Sequence, residues 1–340
     1  MSDDFTKTLF HPFEAGLLDM PGADARVLFL NAAPGFIRLQ GFAGKIAAVQ
    51  DFRPDFLALN AAGVAVEPEP QGEGYDFALV LAGRHRGRNE LWVAEALERV
   101  RPGGRVVVAG GKTDGAASLA RRLAGLGDVQ GRASKHHGVV FWLRRSEETA
   151  DIVDALRAAN PPLTLEGGFR TVPGLFSHDR VDAGSLLLAQ SLPAGLKGVA
   201  ADFGAGWGYL SVSLARLAPD VASIDLFEAS FAACAAAKAN MAALAPDMPV
   251  RAFWHDLAAE PVERHYDLVI MNPPFHHGRA AEPAIGEDMI RAASKALKPG
   301  GRLYLVANRP LPYEAALQRH FARHGETVRD DRFKVLWAVR

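Results

Sequence analysis

Gly198-Val199-Ala200-Ala201-Asp202-Phe203-Gly204-Ala205-Gly206-Trp207-Gly208 reads as a short apolar strand running into a glycine-rich turn. Leu210, Leu214 and Leu217 follow at helical spacing, so the turn opens a helix. Working outward, Asp220 to Phe227, Tyr266 to Met271 and Gly301 to Ala307 are further strands. The first half shows the same grammar in Arg26 to Asn31, Tyr75 to Leu81 and Arg105 to Ala109. Between the last two lies a helical stretch with Leu91, Ala94, Leu97 and Val100 on one face. Short apolar strands alternating with helices imply parallel sheets built from crossover units.

The halves also repeat residue by residue. Tyr75-Asp76 leads into Arg101-Pro102-Gly103-Gly104-Arg105, and Tyr266-Asp267 leads into Lys298-Pro299-Gly300-Gly301-Arg302. The expected organisation is a tandem duplication with domains at 1–160 and 161–340. Ser146 to Gly174, with Pro161-Pro162 and Gly167-Gly168, reads as the linker.

At 340 residues the chain has room for two domains. Its apolar share of 49% and charged share of 23% are ordinary for a globular protein. No apolar run is long enough to span a membrane, and the acidic start lacks the order of a signal peptide. Cys234 is the sole cysteine, which excludes an internal disulfide and a cysteine-rich zinc site. These features predict a cytoplasmic protein with no membrane and no metal. The net charge is −1, yet residues 84–145 hold 13 Lys and Arg against 5 Asp and Glu. That stretch, including Arg84, Arg86 and Arg88, is either a phosphate-contacting surface or a solvated face.

Candidate chemistry gathers in the second half. Gly204, Gly206 and Gly208 let the backbone turn sharply and approach a ligand closely. Glu228, 20 residues beyond Gly208 at a strand end, suits a ribose diol, with Asp225 as its competitor. Asp256 is placed either for an adenine amino group or for capping its own loop. Asn272-Pro273-Pro274-Phe275 ends the strand that begins at Tyr266. Two prolines remove two N–H donors and stiffen the loop. The Asn272 side-chain oxygen and the Pro273 carbonyl then form a pair of acceptors for an exocyclic amino group, and Phe275 can stack on a base. His276 and His277 follow; too few ligands gather for a metal, and His276 is a candidate substrate contact.

With Asp202–Gly208 and Asn272–Phe275 in one half, the chain resembles class I methyltransferases that modify amino groups. More closely, it resembles the bacterial ribosomal RNA guanine-N2 methyltransferases of the small-subunit (16S) type. Thr171-Val172-Pro173-Gly174-Leu175-Phe176-Ser177 and Asp182-Ala183-Gly184-Ser185 look like that family's lead-in, and Arg332-Phe333-Lys334-Val335 like its closing strand. The resemblance covers about Phe169 to Arg340. Ala205, Trp207 and Glu228 depart from its commonest residues.

The resemblance implies two tandem Rossmann-like methyltransferase domains, α/β in class, the N-terminal one degenerate. That half lacks the glycine pattern at Asn31–Gly35 and has Leu81-Ala82-Gly83-Arg84 in place of the tetrapeptide. S-adenosyl-L-methionine is the implied cofactor, held by Asp202, Gly204, Gly206, Gly208, Glu228 and Asp256, with Phe176, Ser177, Asp182 and Ser185 enclosing it. The implied substrate is a guanine of 16S ribosomal RNA in the 30S subunit. Rival readings are a large-subunit rRNA guanine, adenine N6 or protein glutamine N5 as target, and a non-catalytic RNA-binding assembly factor.

Overall fold

The computed structural model describes residues 3–36, 40–126, 129–147, 149–274 and 283–340. Contacts divide the chain into two units, residues 1–162 with 172–174, and residues 163–171 with 175–340. The first unit holds β1 (Arg26–Leu30), β2 (Lys45–Val49), β3 (Val66–Glu67), β4 (Tyr75–Leu81), β5 (Val100–Gly111), β6 (Val129–Lys135) and β7 (Gly138–Arg144). They form one sheet in the order β3-β2-β1-β4-β5-β7-β6. The first five are parallel, and β6 and β7 close the edge as an antiparallel hairpin. Its helices are α1 (Asp3–Glu14), α2 (Arg53–Ala61), α3 (Arg86–Arg99), α4 (Ala116–Ala124) and α5 (Thr149–Ala158).

Side chains alternate across the pleat, which explains the continuous apolar strands. Leu28, Leu30, Ala78, Val80, Val106 and Val108 enter one core, and Val27, Phe29, Leu79, Leu81, Val107 and Ala109 enter another. A sheet covered on both faces needs apolar residues at every position.

The second unit begins with a short antiparallel pair, β8 (Leu163–Thr164) and β9 (Arg170–Thr171), and continues with α6 (Ala183–Ser191), β10 (Gly198–Phe203), α7 (Tyr209–Leu217), β11 (Val221–Glu228) and α8 (Phe231–Leu244). Then follow β12 (Val250–Trp254), β13 (Tyr266–Met271), α9 (Pro283–Ala296), β14 (Leu297–Asn308), α10 (Tyr313–His320), β15 (Arg323–Arg329) and β16 (Phe333–Val339). The sheet order, β12-β11-β10-β13-β14-β16-β15, repeats that of the first unit.

The duplication extends to individual bonds. Asp76 accepts from the Arg26 N–H and pairs with Arg101; Asp267 accepts from the Val199 N–H and pairs with Lys298. Arg145 Nη1 donates to the Val100 carbonyl at the start of β5, and Arg340 Nη1 to the Leu297 carbonyl at the start of β14. Gly131 faces Trp142 across one edge hairpin, and Gly325 faces Trp337 across the other. In both places a Cβ on the glycine would lie within 3 Å of the indole.

The linker reading of Ser146 to Gly174 needs correction. Thr149–Ala158 is a helix whose Ile152, Val153 and Leu156 complete the first unit's core. Its apolar i, i+1, i+4 spacing was hidden by the prolines and glycines that follow. Cys234 is a buried free thiol, pushed up to about 11 by burial. Among the described residues, no helix is long and apolar enough to cross a membrane, and no group of three His, Cys, Asp or Glu is placed to hold a metal.

Candidate active site around Asn272

Strand order reverses at β10, with β11 and β12 on one side and β13 and β14 on the other. The crevice outside the carboxyl ends at such a reversal is where open α/β sheets take ligands. Three segments converge there: the turn after β10, the end of β11 and the end of β13.

The turn after β10 is held in left-handed backbone at Gly204 (φ 76°), Gly206 (φ 55°) and Gly208 (φ 91°). At Gly208 a Cβ would stand 3.1 Å from the Ala237 Cα, so only glycine lets α8 close on the loop. Glu228 braces the turn from the end of β11. Its Oε2 accepts from the Gly206 N–H and its Oε1 from the Ser230 N–H, both at 2.8 Å. A carboxylate accepts at about four lone-pair positions, so bracing the loop does not exhaust it.

Asn272 stands at the end of β13. Its Nδ2 donates to Asp182 Oδ2 at 2.9 Å and to Ser185 Oγ at 2.8 Å. Asp182 also caps α6, accepting from the Ser185 N–H at 2.8 Å. Both amide hydrogens of Asn272 are thus committed, and the oxygen is the polar atom left to face a ligand. Pro273 is buried beside it and Pro274 is exposed.

Trp207 ties the glycine turn to Phe169 and Phe176. Trp207 Nε1 donates to the Phe176 carbonyl at 2.9 Å, and the Trp207 ring packs edge-on against Phe169 and Tyr209. Asn240 locks the arrangement from α8: it accepts from the Arg170 N–H and donates to the Arg170 and Trp207 carbonyls. Ser177 holds a φ of 47°, a conformation that costs energy for a residue with a Cβ.

A family described as "Methyltransferase small domain" matches residues 166–337, just over half of the chain. The chain belongs to the methyltransferase small domain family. It is 38% identical over 173 residues to the ribosomal RNA small subunit methyltransferase C of Erwinia tasmaniensis, covering 50% of this chain and 49% of that protein. An Escherichia coli protein of the same name is 38% identical over 170 residues, covering 50% and 48%. The chain thus covers about half the length of the curated relatives it matches. Among solved structures, the T. thermophilus 16S rRNA N2 G1207 methyltransferase, in complex with AdoMet and guanosine, shares the fold. Its TM-score is 0.79 at 24% identity, over 99% of this chain and 92% of that one.

In this methyltransferase small domain, Phe176, Ser177, Asp182, Ser185, Gly204, Gly206 and Asn272 line one cleft, as does Trp207, together with Tyr209 and Leu210, which sequence reasoning did not single out for binding. Asp202 does not line it. Its side chain is fully buried under α7, where Oδ2 accepts from the Ser211 hydroxyl. Its Oδ1 has no hydrogen-bond partner among the described residues. Burial pushes this carboxyl up to about 7, against the opposing Ser211 hydrogen bond and with help from the Glu228 charge. Asp225 is also removed from the cleft, bonded to Arg251, Arg264 and Tyr266. Burial raises its pKa, but the Arg251 and Tyr266 hydrogen bonds outweigh that and hold it below the usual range. Asp256 caps its own turn through the Ala258 N–H, the loop role the sequence allowed. Phe275, His276 and His277 lie outside the described residues.

Two of the three candidate arginines of the first unit pair with acids of their own unit. Arg88 pairs with Asp51 at 2.6 Å and lies 4.8 Å over the Trp92 ring. Arg86 pairs with the buried Glu90, and Arg84 is exposed. The first unit also shows what the site has lost. Asn31 takes the left-handed position of Gly204, Leu81 the place of Asn272, and Gln50 that of Glu228. Gln50 still accepts from the N–H two residues on, Phe52, but its Nε2 donates to the Ala32 carbonyl. Where Glu228 receives a loop N–H, Gln50 gives one to a loop carbonyl.

Proposed function

We propose that this protein transfers a methyl group from S-adenosylmethionine to the exocyclic N2 of a guanine in 16S ribosomal RNA. The observation that carries the reading is the fixed polarity of Asn272, a cleft-lining residue whose two N–H groups are given to protein acceptors, which leaves its oxygen as the acceptor for a ligand. An exocyclic amine offers two N–H donors, and the Asn272 oxygen with the Pro273 carbonyl supplies two acceptors. Their bonds aim the nitrogen and draw its lone pair out of the ring. S-adenosylmethionine supplies an electrophilic methyl group on a sulfonium. The nitrogen–methyl bond forms as the carbon–sulfur bond breaks; sulfur keeps the electron pair, and the amine proton leaves to water. Positioning supplies most of the acceleration in such a displacement.

The glycine turn with Glu228 suits the nucleoside end of the cofactor: Gly206 presents open space where a Cβ would stand, and the carboxylate is at the strand end. The relatives' printed names favour small-subunit ribosomal RNA, and the 30S particle is the proposed partner. A guanine enters such a cleft by leaving its stack. The first unit, with Leu81 and Gln50 in place of the site residues, is proposed to support the catalytic half and to offer its Arg-rich surface to RNA.

The test is methyl transfer from labelled S-adenosylmethionine to 30S subunits, 50S subunits and free rRNA from cells lacking the gene, followed by digestion to nucleosides. Label in N2-methylguanosine from the small subunit is expected. Asn272→Ala should cut turnover at least about 100-fold with cofactor affinity nearly unchanged. Label in another nucleoside, or equal loss of turnover and cofactor binding in that variant, overturns the assignment.

A further inference from the structure

An asparagine amide is nearly symmetric in shape, and turning it by 180° exchanges oxygen for NH2 without changing its volume. Which end faces a ligand is decided by its neighbours. Ser185 Oγ, 2.8 Å from Asn272 Nδ2, cannot decide, because a hydroxyl both donates and accepts. Asp182 can. An ionised carboxylate only accepts, and its Oδ2 lies 2.9 Å from the same nitrogen. Were the amide turned, oxygen would face carboxylate and NH2 would face the amine it must bind.

Asp182 is itself fixed. Its Oδ2 takes the Ser185 N–H at the first turn of α6, and α6 is anchored by the buried Leu188 and Ala189. Gly184 leaves the room: a Cβ there would stand 3.1 Å from both Asp182 Oδ2 and the Phe333 ring.

We infer that Asp182 is a positioning residue, with Ser185 as its auxiliary, which sets the direction of the Asn272 amide so that oxygen faces the acceptor amine. This rests on the proposed reading that the Asn272 oxygen binds that amine. A helix cap thereby doubles as the reference that orients the reacting group, a role distinct from enclosing the cofactor.

The experiment is a double-variant cycle in the full chain, with 30S subunits and S-adenosylmethionine. One oxygen, Asp182 Oδ2, serves both the cap and Asn272, so Asp182→Ser is the variant that separates them: a serine hydroxyl still caps α6 but is too short to hold the Asn272 amide. Its kcat is expected to fall about 10- to 100-fold with cofactor Kd within about twofold. Asn272→Asp sets two carboxylates face to face, with a loss at least as large. In the double variant Asp182→Ser, Asn272→Asp, the like charges are gone, Ser185 Oγ donates to one carboxylate oxygen and the other faces the amine. A carboxylate accepts at both ends and needs no direction set, so its kcat is expected to rise at least about tenfold above either single variant. A residue that merely capped a helix would give no such rescue. A double variant no better than the worse single one, or a cofactor Kd that moves as far as kcat in Asp182→Ser, overturns the inference. Full turnover by Asn272→Ala instead overturns the reading beneath it.

Discussion

Asp202 opens the glycine motif yet lies away from the cleft. Its carboxyl is fully buried, one oxygen bonded to Ser211 and the other without a hydrogen-bond partner among the described residues. Burial moves its pKa from 3.8 to about 7. Between those values the folded chain holds a proton that the unfolded chain has released, so stability falls as pH rises through the window and is level above it. At about 1.4 kcal/mol for each pH unit, the whole effect is roughly 4 kcal/mol, of which roughly 3 lies above pH 5. Asp202→Asn removes this titration while keeping the shape and a partner for Ser211. The variant's unfolding free energy, relative to the parent, is expected to rise by roughly 3 kcal/mol from pH 5 to pH 8. The assay is urea unfolding at a series of pH values in a Trp92→Phe, Trp142→Phe background, where Trp207, Trp254 and Trp337 report on the second unit alone. Every other titrating group is common to the two proteins, so their difference isolates Asp202. Parallel stability–pH curves would refute the argument. The first unit has Phe29 at the matching place on β1, fully buried and without this dependence.

Trp207→Phe keeps the ring packing on Phe169 and Tyr209 but loses the bond to the Phe176 carbonyl. At about 1 kcal/mol for a hydrogen bond, cofactor Kd by calorimetry should rise about fivefold with kcat unchanged. Gln50→Glu sets a carboxylate against the Ala32 carbonyl in a buried place. It should lower stability by about 2 kcal/mol in thermal unfolding, while equilibrium dialysis still gives one S-adenosylmethionine per chain.

Strands, duplication and the cleft-forming turns were legible because each is local. Apolar runs of about six residues, glycines at fixed intervals and Asn-Pro-Pro leave marks within a short window. What was not legible depends on distant partners. Asn240 is one polar residue in an alanine-rich helix, and nothing nearby marks it as the tie between Arg170 and Trp207. Asp202 reads as a ligand contact from its motif, but its burial is set by α7 closing over the strand. The direction of the Asn272 amide is fixed by Asp182, 90 residues earlier. The Arg-rich stretch shows the same limit: composition counts charges, whereas Asp51 and Glu90 decide which arginines are already paired.

A chain that contains its own copy also contains its own control. The pairs Asp76–Arg101 and Asp267–Lys298, and the arginine ties at Arg145 and Arg340, persist in a half that has lost its glycine turn and its asparagine. Such bonds answer to folding alone, since the first half keeps them without Asn272 or Glu228 to serve. Glu228 against Gln50 and Asn272 against Leu81 are where the halves part company. Laying one half on the other therefore separates shared scaffold from the residues that differ without reference to any other protein, and marks the positions at which a designer who wished to build the second half's cleft into the first would have to begin.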